Sequence, residues 1–155
     1  MLFAIEAGPI LSHGQVVYVQ QDYALNFVPS AYSDCSVLVR DVELGFAWFY
    51  NDIKRANQVS GYCGPPTNWR QLQLCIPEFH PGRLLLLDET IEEGDIVRLE
   101  GSGTWDISYD PATSWVCFGE TNAHQDDIAV EFATDCGAIL RANHLQALWV
   151  KPVFQ

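Results

Sequence analysis

Basic residues are scarce in this chain. Eight lysines and arginines stand against twenty aspartates and glutamates in 155 residues, a formal net charge of −12. Such a balance repels nucleic acid and anionic membrane surfaces and excludes phosphate-backbone binding as a first reading. Long apolar runs are also missing. The longest, such as Leu84–Leu87, fall far short of the roughly twenty residues a membrane-spanning helix needs. Met1–Glu6 has no basic stretch, and Glu6 interrupts its apolar residues, so a secretory signal is not expected there. There is no C-x-x-C, and the cysteines are odd in number: Cys35, Cys63, Cys75, Cys117 and Cys136. Reduced thiols in a cytoplasmic protein follow as the expectation, with a Cys63–Cys75 bridge as the alternative. Phosphate-binding glycine loops, dinucleotide fingerprints, nucleophile elbows and the H-E-x-x-H zinc pattern are all lacking. No linker or internal repeat divides the chain, and one domain spanning 1–155 is expected.

What is present is β-forming sequence. Hydrophobic residues make up 48% of the chain and charged residues only 18%, enough to build a core at this length. Residues 95–110 alternate cleanly. Val97, Leu99, Gly101, Gly103, Trp105, Ile107 and Tyr109 share one parity, and Arg98, Glu100, Ser102, Thr104, Asp106, Ser108 and Asp110 the other. Side chains of a strand point to opposite faces in turn, so this reads as one half-buried antiparallel strand. A turn at Gly101–Gly103 that makes two strands of it is the second reading. Gln15–Val28 reads as a long extended stretch, Cys35–Val42 as a strand, Gln71–Ile76 as an alternating strand ended by Pro77, and Arg83–Asp88 as a strand buried on both faces. Trp115–Phe118, Ile128–Phe132, Ala138–Ala142 and Leu145–Val150 follow at short spacing. Glu43–Asn57 begins as an aromatic strand, and its tail, residues 50–57, suits one short helix. The expected fold is therefore all-β and mainly antiparallel, a sandwich or partly open barrel, with Val97, Leu99, Trp105, Ile107, Leu85, Leu87 and Trp149 in its core.

The placement of charge bears on function. From Asp88 to Asp135 thirteen acids are opposed by Arg98 alone, so one third of the chain carries the whole net charge. An acidic surface of this kind draws basic partners at long range, or simply keeps the protein in solution. The expected function is binding and inhibition of a basic protein, such as a nuclease toxin, in the manner of an immunity protein. Carboxylates Glu92, Glu93, Glu100, Asp106, Asp110, Asp126 and Asp127 would meet the partner, with Tyr62 and Trp69 as aromatic anchors. Glu100, Asp106 and Asp110 are expected to share the exposed face of the 95–110 strand.

Two other readings compete. Trp69, Trp105 and Trp115 can stack on sugar rings in a lectin-like sandwich. Cys63, on a Gly/Pro loop, with His80 or His144 as base, is the ingredient of a thiol enzyme, although no enzymatic activity is the first expectation. Cys75…His80 and His124…Asp127 hold ligand-type residues without a zinc or calcium spacing, so neither metal nor cofactor is expected.

Overall fold

The computed structural model describes residues 1–49 and 52–155. The sheet is organised by two long strands that change neighbours along their length. β6 (Ile53–Tyr62) pairs with β5 (Val42–Phe49) over most of its length, with β8 (His80–Leu86) through Lys54 and Arg55, and with β3 (Ala24–Val28) through Gly61 and Tyr62. β8 pairs with β1 (Phe3–Ala7) along most of its length and in parallel with β12 (Ile128–Ala133) through His80 and Pro81. A strand shared in this way must twist and bend, and the sheet curls with it. From one end the order runs β15 (Val153–Phe154), β2 (Gln15–Val19), β3, β6, β8, β12, β13 (Cys136–Arg141), β14 (His144–Val150), β11 (Val116–Gly119), β10 (Ile107–Tyr109), β7 (Arg70–Gln71). β5, β4 (Cys35–Val39) and β9 (Ile96–Arg98) branch from β6.

The two ends of that order meet through rings. Trp69, just before β7, lies edge-on to Tyr18 of β2 with centroids 5.3 Å apart and to Tyr109 of β10 at 5.7 Å. Phe154 of β15 is 5.4 Å from Tyr109 and 5.5 Å from Tyr18. Side chains thus join these terminal strands, and the curled sheet is a half barrel, the partly open member of the two expected architectures.

The core follows from alternation. On β11, Val116 and Phe118 enter the main core while Cys117 faces a second cluster. On β14, Leu145, Leu148 and Val150 face the main core and Ala147 and Trp149 the second. The segment 72–79 covers that outer face with Leu72, Leu74, Ile76 and Phe79. Burial on both faces explains the unbroken apolar runs of these strands.

Several expectations change. Residues 95–110 are not one strand: as in the second reading they form two, β9 and β10, about a 3-10 turn at Ser102–Thr104, but these do not pair with each other. Gly101 enters the turn at φ +83, where a Cβ is unfavourable. Ser102 is fully buried, donating to Leu99 O at 2.8 Å and accepting from Arg40 N at 3.0 Å. Its place among polar residues reflects a turn, not a solvent face. Gln15–Val28 is a hairpin turning at Gln20–Tyr23, with Asp22 N donating to Val19 O. Cys35–Val42 likewise breaks: β4 ends at Val39, Arg40 and Asp41 turn, and Val42 opens β5. Residues 53–57, assigned above to a helix, belong to β6 instead; residues 50 and 51 lie outside the described residues. Of Gln71–Ile76 only Gln71 is in a strand, and the alternation of the rest reflects packing on the Trp149 face. In β8, Leu84 and Leu86 are buried, but Leu87 beyond it is 47% exposed, so that strand has one core face only. Leu99, Ile107 and Trp149 are core residues; Val97 and Trp105 pack against the core half-buried, and Leu85 is only partly buried.

Gly119 ends β11 at φ +111, and a Cβ there would lie 2.6 Å from Gln146 O and 2.8 Å from Trp105 Cε3. Gly119→Ala combines backbone strain with overpacking against a fixed carbonyl. It is expected to cost about 2–4 kcal/mol, seen as a lower urea midpoint at unchanged slope.

Candidate functional site

β4 and β9 run parallel and β5 antiparallel to them, in the register Ser36↔Ile96, Cys35↔Phe46 and Val39↔Val42. The pairing sorts charge by strand end. Asp34 and Asp95 precede β4 and β9, beside Trp48 near the end of β5. Arg40 follows β4, Arg98 ends β9, and Asp41 precedes β5. Five strand residues separate the two ends, roughly 17 Å.

At the Asp34 end lies an open cleft of about 760 Å³. Five carboxylates line it, those of Asp34, Asp52, Glu89, Glu92 and Glu93, with Trp48 and the buried Ile91. The cation of its lining, Lys54, is 6% exposed; its Nζ donates to Asp88 O and lies 5.2 Å from the Trp48 ring centroid. Lys54 is thus engaged within the wall. Local hydrogen bonds build the rim. Asp34 Oδ2 accepts from Trp48 N at 2.6 Å, and Asp34 O from Gly94 N at 2.7 Å. Asp88 Oδ1 accepts from the Thr90 backbone and hydroxyl, and Asp95 Oδ2 from Glu92 N. Asp88 and Asp95 therefore shape turns, while Glu89, Glu92 and Glu93 remain exposed. Glu93 accepts from the Tyr32 hydroxyl at 3.3 Å, and its charge pushes the Tyr32 phenol upward.

At the Arg40 end is a smaller pocket of about 170 Å³, bordered by Arg40, Asp41, Tyr62, Asn68, Arg70 and Asp106.

The residues singled out from the sequence divide among these places. Glu92 and Glu93 belong to the acidic cleft, and Tyr62 and Asp106 to the smaller pocket. Trp69 is only 5% exposed; it backs that pocket as part of the barrel seam and is no anchor for a partner. Glu100 and Asp126 are exposed and line neither depression. Glu100, Asp106 and Asp110 do not share a face, because the strand expected to align them is interrupted. Asp106 pairs with Arg70 at 3.0 Å. Asp110 is 3% exposed, its carboxylate accepting from Leu74 N at 3.0 Å and Ala112 N at 2.9 Å. Asp127 is held by both Nε (2.7 Å) and Nη2 (3.1 Å) of Arg141, which also reaches Glu120. Asp110 and Asp127 are structural residues. The sequence reading missed Asp34, Trp48, Asp52 and Lys54, which only the β4–β5–β6 pairing brings beside residues 89–93.

These two aspartates make acid stability predictable. The Leu74 amide foremost holds the Asp110 carboxyl below its usual value of 3.8, and the Arg141 guanidinium does the same for Asp127. Unfolding returns both to about 3.9. A carboxyl lowered by folding contributes stability above its unfolded value, and the contribution is lost as pH falls through the folded one. Urea midpoints are therefore expected to fall as pH drops below about 4. The double variant Asp110→Asn/Asp127→Asn is expected to show a flatter curve between neutral pH and that range.

All five thiols are free, so Cys63 and Cys75 are not bridged; Cys75 is exposed and the other four are buried. Burial pushes Cys63 up to about 12, the opposite of an activated nucleophile. Trp115 is stacked on Phe79 at 5.6 Å, Trp105 is half-buried, and Trp69 is buried. Among the described residues no three His, Cys, Asp or Glu side chains form a metal-binding group, and no helix is long and apolar enough to cross a membrane. Set against known protein families and curated proteins, the chain matches none of either.

Proposed function

We propose that this protein binds and neutralises a basic protein in the cytoplasm, with the acidic cleft as its docking site. The observation that carries the reading is the excess of negative charge: among the described residues five carboxylates line about 760 Å³, and the one lining cation is buried against Trp48 and Asp88 O. A lysine- or arginine-rich projection finds there carboxylates that attract it from a distance. A nuclease is a suitable class of partner, because a surface that holds phosphates must be positive. Five unbridged thiols agree with a reducing compartment.

The test uses an oligo-arginine peptide as probe. Glu89→Gln/Glu92→Gln/Glu93→Gln is compared with a variant of equal charge, Glu78→Gln/Glu100→Gln/Asp126→Asn, altered away from the cleft. Equal losses in the two variants would remove the cleft from this reading.

A further inference from the structure

The pocket at the Arg40 end differs in chemistry from the cleft. Its roughly 170 Å³ lies below the roughly 300 Å³ at which pockets for drug-sized ligands begin, and suits a single ring. Its lining offers donors and acceptors together. Arg70 and Asp106 hold one another through Nη1 and Oδ2 at 3.0 Å although both side chains are more than half exposed. A planar donor and a planar acceptor thus stand side by side at the pocket. Tyr62, 53% exposed, borders the same space. Its hydroxyl and the Asn68 side-chain amide have no hydrogen-bond partner among the described residues. The loop that carries Asn68 is fixed from behind: Trp69 Nε1 donates to Cys63 O at 3.0 Å, and the Tyr18 hydroxyl to Gly64 O at 2.8 Å.

Charge selects the ligand class. Arg40 and Arg70 are balanced in the lining by Asp41 and Asp106, in a chain whose net charge is −12. Arg40 is committed to Trp105 O, and Asp41 stands 3.7 Å from Arg98. An anion here meets two carboxylates and a cation two guanidiniums. A neutral polyol meets neither repulsion, and each of its hydroxyls both donates and accepts. Its C–H face suits the ring of Tyr62. The geometry points to a binding site for a neutral pyranoside, with Tyr62 against the sugar ring and Asn68, Arg70 and Asp106 on its hydroxyls. The site is at the opposite end of β4 from the acidic cleft, and each reading stands or falls without the other.

Amide NMR spectra of the full chain, titrated with methyl glucoside, galactoside, mannoside and N-acetylglucosaminide, and separately with inorganic phosphate, test this. At least one glycoside is expected to shift the amides of Tyr62, Gly64, Asn68 and Arg70 saturably, while phosphate leaves them in place. Tyr62→Ala and Asp106→Asn alter exposed side chains, and each is expected to weaken that glycoside about tenfold or more with the rest of the spectrum retained. The proposal is overturned if no glycoside shifts these amides, if phosphate does so instead, if the shifts lie elsewhere, or if Tyr62→Ala binds like the parent.

Discussion

Trp69→Ala is expected to lower the unfolding free energy by about 3–5 kcal/mol, the range for truncating a buried aromatic residue. Trp69 is 5% exposed and contacts rings on both sides of the seam, Tyr18 and Phe154 on one side and Tyr109 on the other. Removing the indole leaves a void where the terminal strands of the sheet are joined through side chains. It also strips Cys63 O of its indole donor. Because whole domains are stable by only about 5–15 kcal/mol, the variant should remain folded with a small margin. Trp69→Phe separates the two contributions. It retains a ring and removes the Nε1–H, at an expected cost of about 1–3 kcal/mol. Urea unfolding with an unchanged slope is the measurement. A loss under about 1 kcal/mol for Trp69→Ala would mean that the seam does not depend on this ring.

The contrast between two stretches shows what alternation conveys. In the stretch Ile128–Val150 the expected strands Ile128–Phe132, Ala138–Ala142 and Leu145–Val150 correspond to β12, β13 and β14 with ends displaced by up to two residues. Its turns carry their own signals, Thr134-Asp135 and Ala142-Asn143, and Asp135, Ala142 and Asn143 all adopt positive φ. Residues 95–110 alternate more cleanly, yet form two strands in different parts of the sheet. A period of two records which side chains meet apolar surroundings; it does not record which neighbour the backbone pairs with. Leu99 and Ile107 are buried as the pattern implies, while Ser102 and Asp110, on the polar parity, are buried because their side chains close turns. The pattern of Leu72, Leu74 and Ile76 has the same origin, since an extended segment packed on a sheet face alternates as a strand does.

The site was legible in part for the same reason. The acidity of 88–95 is local in sequence, so Glu92 and Glu93 were found. Asp34, Trp48, Asp52 and Lys54 come from β4, β5, β6 and the residues around them, and only long-range pairing makes them neighbours of Glu89–Glu93. Charge counting also treated every carboxylate as available. The partners of Asp110 and Asp127 are the Leu74 amide and Arg141, distant in sequence, and those bonds withdraw both carboxylates from the surface.

Neutralising Glu89, Glu92 and Glu93 is expected to lower affinity for an oligo-arginine peptide by about tenfold or more at low salt. Two unit charges 4 Å apart in water interact by about 1 kcal/mol, and three such contacts exceed the 1.4 kcal/mol that a tenfold change represents. All three residues are exposed and line the cleft, so the substitutions remove charge with little change in packing. The charge-matched variant at Glu78, Glu100 and Asp126 keeps the cleft and loses the same net charge. Its loss is expected to stay under about threefold, because those charges lie outside the cleft and act through a screened solvent. Salt supplies the second axis. At 0.1 M the screening length is about 10 Å and at 1 M about 3 Å, so the gap between the variants should narrow steeply as salt rises. Association rates should carry most of the salt dependence, as expected when carboxylates steer a cation toward its site. If both variants lose affinity equally at every salt concentration, the acidity acts as a diffuse field and the cleft has no special part in binding.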